Sequence, residues 1–151
     1  MSDAYIVALT LLSARELSES QIRARLKRRE IPESEADEAI SRLKRDGTLN
    51  DKRVALAIAR MESAIKHRGR TRVLQKIRQA GIDGDLAEEA VREVFEEVNE
   101  GELLDRAMER RLRGAEVADL DDRSRARIAR GLAGQGFSLD AIFKRLGNRR
   151  R

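Results

Sequence analysis

The stretch TRVLQKIRQAGIDGDLAEEAVREV, residues 71–94, carries aliphatic side chains at a spacing that decides the fold. An apolar stripe that advances by three or four residues is typical of a helix that buries one face. Gly81 stands where a left-handed residue would end one helix, and Asp83 opens an acidic one. Steps of 4, 5, 9 and 3 residues separate the five positions of the stripe, which are Val73, Ile77, Ile82, Val91 and Val94. The stretch therefore predicts two helices joined by a tight turn.

The same spacing recurs elsewhere in the chain of 151 residues. A full copy displaced by 51 residues comprises Ile22, Leu26, Ile31, Ile40 and Leu43. A partial copy, displaced by 55 residues toward the C-terminus from the stretch quoted above, comprises Ile128, Leu132, Phe137 and Leu146. Recurrence at a fixed period indicates repeated units, none of which buries its apolar face alone. We therefore predict an all-α protein of three tandem three-helix repeats, residues 1–50, 51–100 and 101–151, stacked into an elongated curved array.

Capping residues and glycines agree with nine helices, three to a repeat. Ser18 and Gln21 have the spacing of a capping box, and Pro32 suits the first turn of the next helix. Asp51 and Ser138 are expected to cap later helices. Helix breaks are expected at Gly47, Gly69, Gly81, Gly101, Gly114 and Gly136. Beyond the repeated positions, the predicted core includes Leu9, Leu12, Val54, Ile58, Leu104 and Met108.

Composition narrows the classes of protein to which the chain can belong. Charged residues make up 39% of it and aromatic residues 3%, and it has no cysteine. These values are typical of a nearly all-helical chain without disulfides and fit the reducing cytosol. The apolar run YIVALTLLSA, residues 5–14, follows an acid instead of the basic residues of a signal peptide, and it is too short to span a bilayer. We therefore expect a cytoplasmic protein with a buried first helix.

A net charge of +5 favours an acidic or polyanionic partner. Basic and acidic residues balance in residues 1–50 and 51–100, whereas residues 101–151 hold 13 basic and 8 acidic side chains. Basic residues recur on the middle helix of each repeat, which predicts a positive ridge along the array. The alternative is a solvated face in which these cations pair with acidic third helices, and charge alone leaves it open. The candidate contact residues are Arg23, Arg28, Arg68, Arg70, Arg72, Lys76, Arg78, Arg123, Arg127 and Arg130.

The sequence contains no recognisable catalytic constellation. The only histidine, His67, lies at a predicted helix end, where a partner of the helix dipole or a solvated residue is more typical than a general base. The glycines at positions 134 and 136 are not followed by the lysine and the adjacent hydroxyl residue of a phosphate-binding loop. The acids of residues 88–97 lack the histidines or asparagines that would indicate a metal site. We therefore predict a protein that is not an enzyme and that requires no metal or cofactor.

Several motifs together resemble one known family. Residues 47–55, GTLNDKRVA, look like the Gly-Tyr/Thr-Leu/Ile-Asp/Asn-Asp-x-Arg-Phe/Tyr-Ala element of the RecX regulatory proteins, with Val54 in place of the usual aromatic residue. Residues 68–82 resemble a later element of that family, and residues 8–18, ALTLLSARELS, resemble its opening. Gly136 and the phenylalanine after it resemble the Gly-Phe of its closing unit. The likeness covers nearly the whole chain.

This resemblance implies a protein that acts by binding. RecX-like proteins consist of three three-helix repeats and lie in the groove of the filament that RecA recombinase forms on single-stranded DNA. They inhibit its ATPase, strand exchange and growth, so the resemblance implies RecA as partner and a role in DNA repair. We expect a monomer with no membrane attachment. Two other classes stay open on the residues alone: a DNA-binding accessory protein with weak affinity for single- or double-stranded DNA, and a helical scaffold for another protein.

Overall fold

The computed structural model describes residues 3–147 of the 151-residue chain, and this part contains helices and no strand. A π-helical segment, Met61–Ile65, continues the fourth helix, and a 3-10 turn, Val117–Asp119, precedes the eighth. The prediction of an all-α protein is confirmed. In chain order the nine α-helices of this part are α1 (Asp3–Ala14), α2 (Glu19–Arg28), α3 (Glu33–Arg45), α4 (Asp51–Arg60), α5 (Arg70–Gln79), α6 (Gly84–Glu97), α7 (Glu100–Leu112), α8 (Asp122–Gly134) and α9 (Leu139–Leu146).

Local capping signals predict most helix ends correctly. Ser18 and Gln21 form the expected capping box at the start of α2, and Ser138 caps α9. Two assignments are wrong. Asp51 was expected to cap α4. The cap is instead Asn50, one residue earlier, whose side chain accepts from the N–H of Arg53 at 3.1 Å. The third predicted repeat also begins differently. Asn99 caps α7, and Gly101 therefore lies inside that helix instead of breaking it.

The repeated apolar positions form the core. Thirteen of the fourteen are buried and Ile31 is half-buried, which confirms the periodicity. Of the added core residues, Val54, Leu104 and Met108 are buried as expected, and Leu12 and Ile58 are half-buried. Leu9 was expected in the core but is 40% exposed, because α1 buries its small side chains, Ala4 and Ala8, instead. Alanines on the buried face let a helix approach its neighbours closely.

The chain folds into two compact units. The first comprises residues up to Ala57 together with Lys76–Ala90, and the second comprises Ile58–Gln75 together with residues from Val91 onward. Within the first unit, α1 packs against α2 and α3. Leu17, Ile22 and their neighbours fill the space between these helices. The division into repeats at residues 1–50, 51–100 and 101–151, and their stacking into a curved array, remain predictions.

Within the second unit, α8 packs against both α7 and α9. The segment before α5 approaches the turn after α8 so closely that the N–H of Gly69 donates to the carbonyl oxygen of Gln135 at 2.8 Å. Gly136 adopts φ 103°, a conformation that side chains other than glycine rarely reach. This contact holds the loop that follows α4 beside the end of α8, and it positions the residues described next.

Candidate functional site

Some of the predicted contact residues are engaged in ion pairs on the surface of the first unit. Arg23 on α2 pairs with Asp37 on α3, and Arg78 on α5 lies 3.7 Å from Glu88 on α6. In both cases the partner lies on a helix that the sequence identified as an acidic third helix. For these two residues the alternative of internal pairing is therefore correct. Both pairs are exposed, so each contributes little to stability.

Arg68 and Arg70 make contacts within the second unit, the first partly buried and the second exposed. Glu62 in the π-helical segment has a side chain only 5% exposed, and it accepts from Arg68 at 2.8 Å. The ammonium group of Lys66 lies 3.0 Å from the second carboxylate oxygen of Glu62. Removing either member of this pair would leave an uncompensated charge, so Arg68 neutralises Glu62 within the fold, and its contact with another molecule remains a prediction. Arg70 places its guanidinium 5.1 Å from the ring centroid of Phe95.

Six predicted contact residues form no ion pair within residues 3–147, although one of them, Arg127, interacts electrostatically with Asp121. They are polar side chains on the solvent side of their helices, half-exposed or exposed. Their charge is therefore available to another molecule. They are Arg28 on α2, Arg72 and Lys76 on α5, and Arg123, Arg127 and Arg130 on α8.

One of these six, Arg127, lies in a pocket of the second unit that sequence reasoning did not identify. The pocket has a volume of about 620 Å³. Its walls come from the loop after the π-helical segment, from the end of α7, and from α8 with the turn that follows it. No acidic residue lines it; the lining residues are Lys66, His67, Ala107, Arg110, Arg111, Arg113, Arg127, Ile128 and Gln135. Arg123 and Arg130, on the same helix as Arg127, are not among them.

The arginines of the pocket are positioned by the ends of α7 and α8. Arg113 ends α7 in a left-handed conformation, φ 51°, and its N–H caps the helix through the carbonyl of Glu109. Arg111 donates from Nε to Oε1 of Gln135 at 2.9 Å. Its guanidinium occupies the space that a Cβ at Gly131 would need, so the absence of a side chain there lets Arg111 lie across α8.

His67 departs most from its predicted environment. It adopts φ 53°, and its Nδ1 is buried without a hydrogen-bond partner among the described residues. Loss of hydration, followed by repulsion from Arg110 and Arg106, lowers the pKa of His67 below its ordinary value. The imidazole is therefore favoured in its neutral form beside a cluster of fixed positive charges. The expectation of a solvated histidine is wrong for Nδ1.

The sequence contains a partial signal for this pocket. Residues 101–151 hold the whole positive excess, and the run ERRLRG at residues 109–114 places three arginines at one helix end. The contribution of Lys66 and His67 was not predictable, because it depends on the contact that brings the loop before Gly69 to the end of α8. Tertiary approach, rather than local pattern, creates the site.

Among residues 3–147, no group of three or more histidine, aspartate and glutamate side chains is arranged to hold a metal ion. No helix in that part is long and apolar enough to cross a membrane.

These features define an all-helical protein whose second unit presents a cluster of uncompensated cations. The family models for the first and second three-helix domains of RecX match residues 4–43 and 50–91, which is more than half of the chain. The regulatory protein RecX of Syntrophotalea carbinolica is 31% identical over 143 residues, covering 95% of this chain and 94% of that protein. The chain therefore belongs to the RecX family.

Further relatives agree with this assignment. The regulatory protein RecX of Streptomyces coelicolor is 34% identical over 140 residues, covering 91% of this chain and 72% of its own length. The crystal structure of RecX from Lactobacillus salivarius superimposes with a TM-score of 0.81 at 23% identity, over 95% of this chain and 94% of that one. The structural likeness confirms the fold.

Proposed function

We propose that this protein is a negative regulator of RecA recombinase that acts in the cytoplasm. It binds in the groove of the RecA filament on single-stranded DNA and inhibits ATP hydrolysis, strand exchange and filament growth, and so modulates homologous recombination and the SOS response. The observation that carries this proposal is the family match, which extends over almost the full length of both this chain and relatives named regulatory protein RecX.

The placement of charge supports action by binding. A nucleoprotein filament presents negative charge at regular intervals, and cations without internal partners are suited to meet it. Arg28, Lys76 and Arg123 are such cations, whereas Arg23 and Arg68 are engaged within the protein. By this proposal, contacts from the free cations join neighbouring RecA subunits and oppose the rearrangement that accompanies ATP turnover.

A second candidate function is favoured by the basic pocket. Four arginines that form no ion pair among the described residues are a suitable surface for phosphates, so the protein would coat DNA directly and affect RecA only indirectly. Contacts of this kind position a protein on nucleic acid without reading sequence. The two functions differ in what they require, because one needs RecA and the other needs only DNA.

Co-sedimentation separates the two candidates. The protein is mixed with RecA filaments assembled on single-stranded DNA, and separately with the same DNA alone, at low and at physiological salt. We expect it to sediment with filaments under both conditions and to leave naked DNA as salt rises, since release of counterions makes direct DNA binding steeply salt-dependent. Equal sedimentation with naked DNA at physiological salt would favour the accessory DNA-binding function and contradict the proposal.

A further inference from the structure

The pocket of the second unit concentrates positive charge, and among residues 3–147 only one of its cations, Lys66, forms an ion pair. Arg127 also interacts electrostatically with Asp121. Of its five lysines and arginines, Lys66 pairs with Glu62. The other four are Arg110, Arg111, Arg113 and Arg127, and no carboxylate lies within ion-pair distance of them among the described residues. Arg111 and Arg127 bond only to the neutral side chains of Gln135 and Ser124. Like charges in one pocket repel each other, and an anion relieves that repulsion.

His67 adds a second, independent observation. A buried polar atom without a partner is uncommon in folded proteins and is generally satisfied by water or by a ligand. Nδ1 of His67 is such an atom, and its ring lines the same pocket as the arginines. An acceptor oxygen beside it would complete its hydrogen bonding and, by adding negative charge, would offset the repulsion from Arg106 and Arg110 on α7.

The chemistry of the lining identifies the ligand class. Guanidinium groups form paired hydrogen bonds to phosphate, and arginine is the residue proteins use most for this purpose. A volume of about 620 Å³ lies within the usual range for sites that hold whole small molecules, so there is space for more than one phosphate. The apolar lining consists of Ala107 and Ile128, with no aromatic ring on which a base stacks. The site is therefore built for phosphates more than for bases.

We propose that this pocket is a phosphate-binding site that takes two or more linked phosphate groups. Two sources share this chemistry: the backbone of a single-stranded nucleic acid, and a free polyphosphate such as a nucleoside triphosphate. For its nucleic-acid source the proposal rests on the second candidate function, and it deepens that function by naming the chemical group that the pocket takes and the residues that bind it.

The single histidine of the chain makes the test direct. The imidazole resonances of His67 are followed by NMR against pH, with the full chain alone, with inorganic tripolyphosphate, and with a short oligothymidylate. Bound phosphate raises the pKa of His67, so the midpoint of the titration moves to higher pH. A shift with the oligonucleotide alone assigns the nucleic-acid backbone, and a shift with tripolyphosphate alone assigns a free polyphosphate. No shift with either probe overturns the proposal.

Charge-matched variants separate a built site from general attraction. Arg110→Ala with Arg127→Ala removes two charges from the pocket, and Arg123→Ala with Arg130→Ala removes two exposed charges outside it. We expect the first pair to weaken binding of the shifting probe by about 10-fold or more, and the second by about 3-fold or less, since the loss of one hydrogen bond to a charged group weakens binding by about 10-fold or more. Equal losses in the two variants overturn the proposal. The wild-type titration is decisive if a variant fails to fold.

Discussion

Ser18 illustrates how one short side chain joins two parts of the first unit. Its hydroxyl accepts from the N–H of Gln21 at 3.1 Å, which caps α2, and donates to the carbonyl oxygen of Ala80 at 2.5 Å. The residue is completely buried. Gly81, with φ 78°, follows that carbonyl, and a Cβ on it would collide with Ser20. Capping was predictable from the sequence, but the second bond links residues 62 positions apart and was not.

Ser18→Ala is expected to be more destabilising than the loss of a cap alone. Removing the cap costs about 1 kcal/mol, and leaving the buried carbonyl of Ala80 without a donor costs about 1–3 kcal/mol more. Ser138→Ala is the matched control, because Ser138 caps α9 but is exposed; we expect it to cost about 1 kcal/mol. Urea unfolding of both variants measures the difference. Equal losses would show that the bond to Ala80 contributes nothing.

The arginines show where residue-level prediction ends. Arg28 and Arg68 look alike in the sequence, since each lies in a basic stretch beside aliphatic repeat positions. In the structure Arg28 has no carboxylate partner among the described residues, whereas Arg68 is bonded to the buried Glu62. The distinction arises because Glu62 lies in a π-helical segment, whose wider turn is not encoded by any local motif. Pairing of charges is a property of the fold.

At the scale of elements, the approach of two glycines fixes the loop before α5. A Cβ on Gly69 would lie 2.5 Å from the carbonyl oxygen of Gly136, a distance that real Cβ atoms essentially never show. The obstruction is backbone, which does not move aside as a side chain does. Gly69 was predicted as a helix break and does lie in the break before α5; its lack of a side chain also permits the close packing. The same contact places Lys66 and His67 at the pocket.

Gly69→Ala is expected to destabilise the second unit by about 1–3 kcal/mol through overpacking. Gly134→Ala is the control, since a Cβ at that position in α8 meets no atom within 4 Å. We expect the control to be neutral or to gain up to about 1 kcal/mol from helix propensity. Thermal unfolding followed by circular dichroism compares the two. A Gly69→Ala variant as stable as wild type would mean that the two segments can separate without cost.

Elements were predicted well where local chemistry sets them. Aliphatic spacing identified the core positions, and side-chain caps identified the starts of α2 and α9. Errors arose where two residues offer the same chemistry, as Asn50 and Asp51 do. They also arose where tertiary packing overrides hydrophobicity, as in α1, where alanines rather than Leu9 face the core.

For the molecule as a whole, family and fold were predictable and the pocket was not. The repeat and the Gly-Thr-Leu-Asn-Asp element at residues 47–51 are properties of the linear sequence. The pocket joins residues from three separate stretches of the sequence. Among its lining residues, only Arg127 was a predicted contact residue. Charge counting located the positive excess in residues 101–151 but could not show which cations are left without a partner.

The central claim is that this chain inhibits RecA through cations that it does not pair internally. Reversing Arg72 and Lys76 to glutamate on α5 removes two of them, and both are on the solvent side of that helix. Arg45→Glu with Arg92→Glu is a control with the same change in charge, since both residues are exposed, unpaired among the described residues and outside the predicted ridge. We expect the first variant to inhibit RecA more weakly at unchanged helical content, and the control to resemble wild type.

The most direct measurement is the rate of ATP hydrolysis by RecA filaments preformed on single-stranded DNA, with increasing amounts of the wild-type protein. We predict that hydrolysis falls at or below one molecule of this protein per RecA subunit, and that the Arg72→Glu, Lys76→Glu variant shifts this fall to higher concentration. An unchanged rate at equimolar wild-type protein would contradict the proposed function.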